Sequence, residues 1–279
     1  MAKAPPVAIS LGMIRALTLA LAATLGLFQA TQAPAQSPDL VQADLRPGWR
    51  LADGSHMAAL HLRLAPGWKT YWRTPGDAGI PPVFNWSGSR NTAHVDVLWP
   101  APHVFRQSGM RSVGYSRELV LPLRITPSAK GGPIELHTEM DLGICSDICV
   151  PQTLRISASL PASGRPDPVI ASALASAPFS ESEAGVGQVR CTITPDRKGL
   201  RLRAEIDMPR AGSTEDAVIE SGQPGVWVKE PATHRSGGTL VAETKLRHLE
   251  GKPLMVDRSR LRITVLGSDH AVDIKGCNS

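Results

Sequence analysis

Two cysteines separated by three residues place the tightest constraint on how this chain can fold. Cys145 and Cys149 lie in the segment 141–151, and they are two of the chain's four cysteines. A fully extended strand would hold their Cα atoms roughly 13 Å apart, whereas a disulfide needs about 4.4–6.8 Å. If they pair, the backbone between them must therefore reverse in a tight turn or a helical turn. Ser146 and Asp147 favour such a turn, because their side chains bond nearby backbone N–H groups. We interpret the segment as a turn-confined redox pair between two strands.

The N-terminal segment has the pattern of a secretory signal peptide. Lys3 and Arg15 are the only charges in the first 35 residues, an apolar run of about 12 residues follows, and Ala33-Pro34-Ala35 forms an A-x-A cleavage site. A membrane anchor is the alternative, but the run is shorter than the roughly 20 residues that a spanning helix needs. We predict a signal peptide over residues 1–35, a periplasmic location and no membrane span in the mature chain.

The composition argues against several functional classes. The net charge of +5 falls to about +3 in the mature chain, and its basic residues are interleaved with acids. That distribution indicates solubility and no nucleic-acid partner. No Ser/His/Asp signature, Gly-rich phosphate loop or paired-carboxylate motif is evident. His56, His61 and Met110 raise the question of copper, but scattered His and Met residues more often pack or face solvent. We expect no metal and no cofactor.

Alternating apolar residues indicate β-strands along most of the chain. Leucine, isoleucine or alanine recurs at every second position in the stretches 60–64, 119–125, 154–160 and 200–206, with Gly- and Pro-containing turns between strands. This pattern is typical of a β-sandwich. Within it, Pro122 suggests an edge strand, and residues 101–114 are predicted to be a long loop.

A change in composition divides the chain into two predicted domains. Residues 36–160 contain five of the six tryptophans, which predicts a first β-sandwich with its own aromatic core. Residues 161–187 have the composition of a linker, with one short helix over 169–177. The β pattern returns over 188–279 and predicts a second, smaller sandwich. The fold class is therefore all-β, with two sandwich domains in tandem.

Four segments, in the same order, resemble the N-terminal periplasmic domain of the thiol:disulfide interchange protein DsbD. They are Tyr71–Pro82 (YWRTPGDAGIPP), Trp99–Pro102 (WPAP), Gly114-Tyr115 and Leu142–Pro151 (LGICSDICVP). The C-x3-C spacing fits the suppressor-of-copper-sensitivity branch, ScsB, because DsbD itself has a wider spacing. The resemblance covers residues 40 to 160 well and the second β domain more weakly.

The resemblance implies an immunoglobulin-like sandwich whose cysteine pair carries electrons. Cys145 and Cys149 would be the redox pair of a thiol-disulfide oxidoreductase of the protein-disulfide reductase type. Phe105 or Met110 would belong to a cap loop that shields the pair. This chain has no membrane domain and no C-x-x-C motif of a thioredoxin-like domain. The expected partners are therefore separate proteins: a membrane electron donor, and thioredoxin-fold or other periplasmic redox proteins.

The chemistry of the cysteine loop favours a pair controlled by docking. Asp147 disfavours a nearby thiolate, and no Lys, Arg or His lies within the loop to lower a thiol pKa. The partner would then supply the reactive thiolate. The alternative is a non-catalytic periplasmic binding or metal-resistance adaptor module in which both disulfides are structural.

The other two cysteines are expected to form a structural disulfide. Cys191 lies in the first predicted strand of the second domain and Cys277 just after its last strand. Joining them would close a loop of about 86 residues, which stabilises a small domain poor in aromatic residues. We assign Cys191 and Cys277 to a staple. The sequence leaves open the direction of electron flow and which cysteine is attacked.

Overall fold

Antiparallel strands make up most of the described chain. The computed structural model describes residues 39–107, 109–129 and 131–277, so that the predicted signal peptide lies outside the described residues. Within these ranges the chain forms nineteen strands, one α-helix and one turn of 3-10 helix over Arg258–Arg260. None of the helices described is both long and apolar enough to cross a membrane.

Ten strands form two sheets in the first half of the chain. The strands are β1 (Val41–Arg50), β2 (His56–Leu64), β3 (Lys69–Tyr71), β4 (Val83–Asn85), β5 (His94–Val97), β6 (His103–Gln107), β7 (Met110–Ser116), β8 (Glu118–Thr126), β9 (Ile134–Cys145) and β10 (Cys149–Leu160). One sheet has the order β1-β2-β8-β5, and the other has the order β10-β9-β3-β7-β6 with β4 also paired to β9.

Nine strands form two further sheets in the second half. They are β11 (Phe179–Ser180), β12 (Val189–Asp196), β13 (Gly199–Asp207), β14 (Glu215–Glu220), β15 (Val226–Val228), β16 (Ala232–Ser236), β17 (Thr239–His248), β18 (Arg262–Gly267) and β19 (Ala271–Lys275). The sheet orders are β11-β19-β18-β14 and β12-β13-β17-β15, with β16 also paired to β17.

Each half has its own apolar core, as the alternating patterns predict. The first core includes fully buried Trp72, Leu60 and Met140, with three further tryptophans packed against it. The second core is aliphatic and contains Ile206 and Ile263. Burying side chains of this size contributes about 1.5–3 kcal/mol each. This explains why the alternating apolar residues determine which face of each strand is buried.

The segment between the halves contains the predicted helix, which is packed rather than free. Helix α1 (Pro168–Ala175) begins after Asp167, whose side chain accepts a hydrogen bond from the Val169 N–H at 2.8 Å. Ile170 is fully buried against Met57 on the outer face of the first sheet. The helix is thus anchored to the first half, whereas β11 in the same segment pairs with β19 of the second half. The boundaries 36–160, 161–187 and 188–279 stay predictions.

Two local predictions were wrong for identifiable reasons. The predicted loop 101–114 contains most of the β6–β7 hairpin. Its sequence lacks alternating apolar residues, but the pairing of β7 with β3 and with β6 stabilises both strands. Pro122 lies in β8, an inner strand. The Pro122 carbonyl accepts a hydrogen bond from the Leu98 N–H at 2.9 Å. Because the nitrogen and carbonyl of one residue face the same neighbouring strand, the Pro122 nitrogen points to the β5 side, just beyond the last β5–β8 pair, Val97↔Leu123. The missing N–H therefore breaks no ladder bond.

Strand β14 joins the two halves. Glu220 accepts two hydrogen bonds from the Arg73 guanidinium at 2.8 and 3.1 Å and one from the Thr74 hydroxyl at 2.8 Å. Asp216 accepts from Arg106 at 2.6 Å, and Val218 packs into the first core. Bidentate arginine–carboxylate pairs fix orientation as well as distance. These bonds fix Arg73 and Thr74, the two residues after Trp72, against the second half of the chain.

We predict that removing the Cys191–Cys277 disulfide lowers the free energy of unfolding by about 4–5 kcal/mol, because it closes an 86-residue separation. The change is Cys191→Ser with Cys277→Ser, and the measurement is guanidinium unfolding followed by circular dichroism. The matched control is Cys145→Ser with Cys149→Ser, whose separation of four residues predicts a loss of only about 2 kcal/mol. Equal losses would contradict the staple assignment.

We also predict a pH-dependent contribution from Asp167. Burial raises its pKa, but the hydrogen bonds from Arg46 and from the Val169 N–H outweigh burial and leave the pKa below its ordinary value. Asp167→Ala should lower the free energy of unfolding by about 1 kcal/mol at pH 7. This difference is present above the unfolded-state pKa of about 3.9 and is lost as the pH falls through the folded-state pKa. Unfolding curves from pH 7 to pH 3 measure it, and a constant difference would contradict it.

Candidate functional site

The β9–β10 hairpin brings Cys145 and Cys149 together. The two strands pair without interruption from Ile134↔Leu160 to Cys145↔Cys149, and the Ser146 N–H donates to the Ile148 carbonyl across the turn at 3.0 Å. The cysteines form a disulfide with Cα atoms 4.1 Å apart. The predicted reversal of the backbone is therefore a three-residue hairpin turn.

The two cysteines of this disulfide have opposite environments. Cys145 is 1% exposed, whereas Cys149 is exposed to solvent. The Tyr71 hydroxyl lies 3.6 Å from Cys149 Sγ and donates toward it. Burial raises the pKa of Tyr71, so that its hydroxyl keeps its proton at neutral pH. An incoming group can therefore reach Cys149 more easily than Cys145.

Strand β3 supplies the residues beside the disulfide. Lys69 is the register partner of Cys145, which places both side chains on one face of the sheet, and Tyr71 lies on that face two residues further along. Both residues were missed as site residues from sequence. They are separated from the cysteines by more than 70 positions, and no local pattern reports such a pairing.

The loop between β3 and β4 covers the adjoining part of the hairpin. A Cβ atom on Gly143 would lie 2.8 Å from the Ile80 Cβ atom, and one on Gly79 would lie 2.8 Å from the Tyr71 ring. Both glycines thus permit a close approach between this loop and the strands that carry the site. The Thr70 hydroxyl donates to the Gly143 carbonyl at 3.0 Å and holds β3 to β9.

The β6–β7 hairpin contains the two predicted cap residues and contacts the cysteine turn. The Gln107 side chain accepts from the Lys69 ammonium at 2.9 Å and donates to Asp147 at 3.2 Å. The same ammonium lies 5.3 Å from the centre of the Phe105 ring. Met110 is exposed at the hairpin end. Gln107 was not predicted, and shielding of the sulfurs by Phe105 or Met110 stays a prediction.

Exposed apolar side chains are concentrated on the elements that surround the disulfide. Ile148 in the turn is 66% exposed, Val83 opposite Asp141 is 60% exposed, and Ile80 and Met110 are exposed on the two neighbouring segments. These four residues, which we call the apolar rim, form a surface that water solvates poorly. Such patches are typical of protein contact sites.

The remaining predicted residues lie elsewhere. Cys191 and Cys277 form a second disulfide, in which Cys191 is buried in the second core and Cys277 packs against it. His56 bonds the Pro47 carbonyl at 2.5 Å, and His61 bonds Glu118. Among the described residues, no group of three His, Cys, Asp or Glu side chains is placed to hold a metal ion.

Comparison with known proteins finds a family model that matches the first half of the chain. Residues 37–161 match the family model described as thiol:disulfide interchange protein DsbD, N-terminal. The crystal structure of the N-terminal periplasmic domain of ScsB from Proteus mirabilis is similar to the described fold. Its TM-score is 0.63 at 21% identity, and the match covers 84% of this chain and 90% of that chain. No curated protein sequence matches this chain.

The resemblance to the DsbD N-terminal domain that was inferred from sequence is therefore confirmed. The all-β, immunoglobulin-like fold class is confirmed as well. At 21% identity the ScsB structure shows the fold alone.

We predict that freeing the β6–β7 hairpin speeds reduction of the first disulfide. Gln107→Ala removes the two hydrogen bonds that join the hairpin to Lys69 and Asp147, each worth about 1 kcal/mol or less. Reduction of Cys145–Cys149 by dithiothreitol, followed by mass mapping, should become about two- to fivefold faster. Gln188→Ala, at an exposed glutamine on the second half, is the control. An unchanged rate would mean that the hairpin does not limit access.

Proposed function

We propose that this protein carries out thiol–disulfide exchange in the periplasm through Cys145 and Cys149. The observation that carries the proposal is the disulfide at the end of the β9–β10 hairpin, with one exposed and one buried cysteine, in a DsbD-like domain. Structural disulfides have no need of an exposed sulfur beside an apolar rim.

The exchange proceeds in two balanced steps. A thiolate of a dithiol partner attacks Cys149 Sγ, a mixed disulfide forms, and Cys145 leaves as a thiolate. The partner's second thiolate then attacks the partner sulfur of the mixed disulfide and releases the Cys149 thiolate. The partner is oxidised to a disulfide and the Cys145–Cys149 pair is reduced by two electrons. The reverse sequence reduces a second, oxidised protein.

Neighbouring groups favour these steps. Lys69, on the face that carries Cys145, provides a positive charge for the leaving thiolate, and a nearby cation lowers a thiol pKa. The Tyr71 hydroxyl is placed to donate to the Cys149 thiolate after reduction. The Asp147 carboxylate acts in the opposite direction, and Gln107 holds it beside the turn through a hydrogen bond.

The apolar rim provides the contact surface for the partner. Ile80, Val83, Met110 and Ile148 are exposed on segments next to the disulfide, and docking on them brings a partner thiolate to Cys149. We propose that thioredoxin-fold or other periplasmic redox proteins use this surface, and that a membrane protein supplies the electrons. The competing proposal is a binding or metal-resistance adaptor module in which both disulfides are structural.

We predict that only one cysteine forms a mixed disulfide readily. In Cys145→Ser the exposed Cys149 thiol should react with a single-cysteine thioredoxin activated by 5-thio-2-nitrobenzoate, and release of the nitrothiobenzoate is read at its visible absorbance. In Cys149→Ser the buried Cys145 thiol should react more slowly than this, by a factor of about ten or more. The double variant is the control and should not react.

Three results would favour the adaptor module instead. The first is a reduction potential of the Cys145–Cys149 disulfide below about −300 mV, which is typical of structural bonds. The second is opening of Cys191–Cys277 before Cys145–Cys149 under mild reductant, detected by mass mapping of alkylated cysteines. The third is full activity of the variant Cys145→Ser with Cys149→Ser in cells.

A further inference from the structure

One end of the second half of the chain carries a surface rich in cations. The turn between β12 and β13 adjoins the end of β17 there, because Leu200 pairs with Leu246 and Gly199 leaves no room for a Cβ atom beside the Leu246 carbonyl. The turn and the loop 249–257 that follows β17 line one recess of about 490 Å³. We call this surface the basic end, and its six exposed cations are Arg197, Lys198, Arg201, Lys245, Arg247 and Lys252.

Four of the six cations have no acidic partner in the described part of the chain. Lys245 pairs with Asp196 at 2.8 Å. Lys252 pairs with Glu250 at 2.5 Å. Arg201 lies directly opposite Lys245 in the β13–β17 register, and like charges placed in this way cost stability. An anion that covers these charges from outside relieves that cost. The cations without an acidic partner are Arg197, Lys198, Arg201 and Arg247.

The other acids close to the basic end are offset by cations of their own. Glu243 pairs with Arg203 further along β13 and β17. Glu230 lines a small recess of the basic end, but its carboxylate lies 3.5 Å from Arg111. Asp257 ends the loop 249–257 and is followed at positions 258 and 260 by exposed arginines. The positive charge of the basic end is therefore not neutralised by the described residues around it.

The loop 249–257 also displays two large apolar side chains. Leu249 is 66% exposed and Met255 is 86% exposed. Leu254 and Val256 pack against the second core, and the Met255 carbonyl accepts a hydrogen bond from the Gln223 amide at 3.0 Å. The loop is thus anchored on both sides of Met255. Exposed apolar side chains on an anchored loop are typical of a contact surface.

Trp227 lies among the cations of the basic end. It pairs with Arg247 in the β15–β17 register, and the Arg247 guanidinium lies 4.5 Å from the centre of the ring. The half-buried ring also lines a second recess together with Arg197 and Lys198. Tryptophan is enriched where a bilayer meets water, because its ring is apolar and its N–H group remains hydrated.

The neighbouring cations and apolar side chains distinguish between the anions that could cover the basic end. A soluble polyanion such as polyphosphate contacts cations but gains nothing from Leu249 and Met255. An anionic bilayer offers phosphate groups at its surface and an apolar layer beneath them. The composition of the basic end therefore favours a lipid surface.

We propose that the basic end docks on the surface of a bilayer that contains anionic phospholipids. The lipid phosphates accept hydrogen bonds from Arg197 and Lys198, and the side chains of Leu249 and Met255 enter the boundary with the acyl chains. Docking of this kind holds the chain at a membrane without a spanning helix. The proposal goes beyond thiol–disulfide exchange, because the basic end belongs to the second half of the chain and the Cys145–Cys149 pair to the first.

The test is co-sedimentation of the mature chain with two sets of lipid vesicles. One set contains phosphatidylcholine with one-third phosphatidylglycerol, and the other contains phosphatidylcholine alone. The chain should sediment with the anionic vesicles and not with the neutral ones. Because salt screens exposed charges, binding to the anionic vesicles should weaken steeply as sodium chloride is added.

Two variants test which side chains make the contact. Arg197→Gln with Lys198→Gln should weaken binding to the anionic vesicles about 30-fold, since each cation near such a surface contributes about fivefold. Leu249→Ser with Met255→Ser should weaken the same binding about tenfold, because the loop then loses its contact with the acyl chains.

The matched control is Arg165→Gln with Arg210→Gln. It removes the same charge from exposed positions outside the basic end, and binding should change by less than about twofold. Every substituted side chain is exposed, so that all three variants should fold, and circular dichroism checks this.

Three outcomes would overturn the proposal. In the first, the mature chain sediments equally with neutral and anionic vesicles. In the second, the control variant loses as much binding as Arg197→Gln with Lys198→Gln, which would assign the binding to net charge alone. In the third, Leu249→Ser with Met255→Ser binds as tightly as the unchanged chain, which would show that phosphate groups alone are recognised and favour a soluble polyanion. None of these outcomes bears on exchange, since the reactions of the cysteine variants are measured separately.

Discussion

The uninterrupted register of β9 and β10 is the constraint on which the rest of the site depends. Twelve cross-strand pairs run from Ile134↔Leu160 to Cys145↔Cys149. A shift of β10 by one residue would move Cys149 to the other face of the hairpin and turn Leu154 and Ile156, which pack against the first core, toward solvent. The apolar contacts of the first core therefore fix the position of the sulfur atoms. In this way, burial far from the disulfide determines whether it can form.

The second half of the chain supports the site through strands β14 and β18. Glu220 in β14 bonds both Arg73 and Thr74, and Thr264 in β18 also accepts a hydrogen bond from Arg73. The loop that follows these residues places Ile80 against Gly143. This loop is therefore held between the second half of the chain on one side and the strands that carry the disulfide on the other.

Local features of the sequence were sufficient for the fold class and for the cysteine pair. The spacing of Cys145 and Cys149 permits few backbone paths, and the alternation of leucines reports which faces are buried. Features that depend on distant pairing were not predictable from local patterns. The β6–β7 hairpin lacks alternation and is held by β3. Lys69 and Tyr71 reach the cysteines only across strands, and Arg111 approaches Asp216 and Glu230 only where the two halves join.

The packing of α1 and β14 against the first half has a consequence for truncated forms of the protein. A chain that ended near Leu160 would retain both sheets of the first half and the Cys145–Cys149 disulfide. It would also expose the apolar surface that Ile170 and Val218 cover, and Arg73 would lose its carboxylate partner. Such a fragment is expected to self-associate through that uncovered surface, so that its oligomeric state would differ from that of the intact chain.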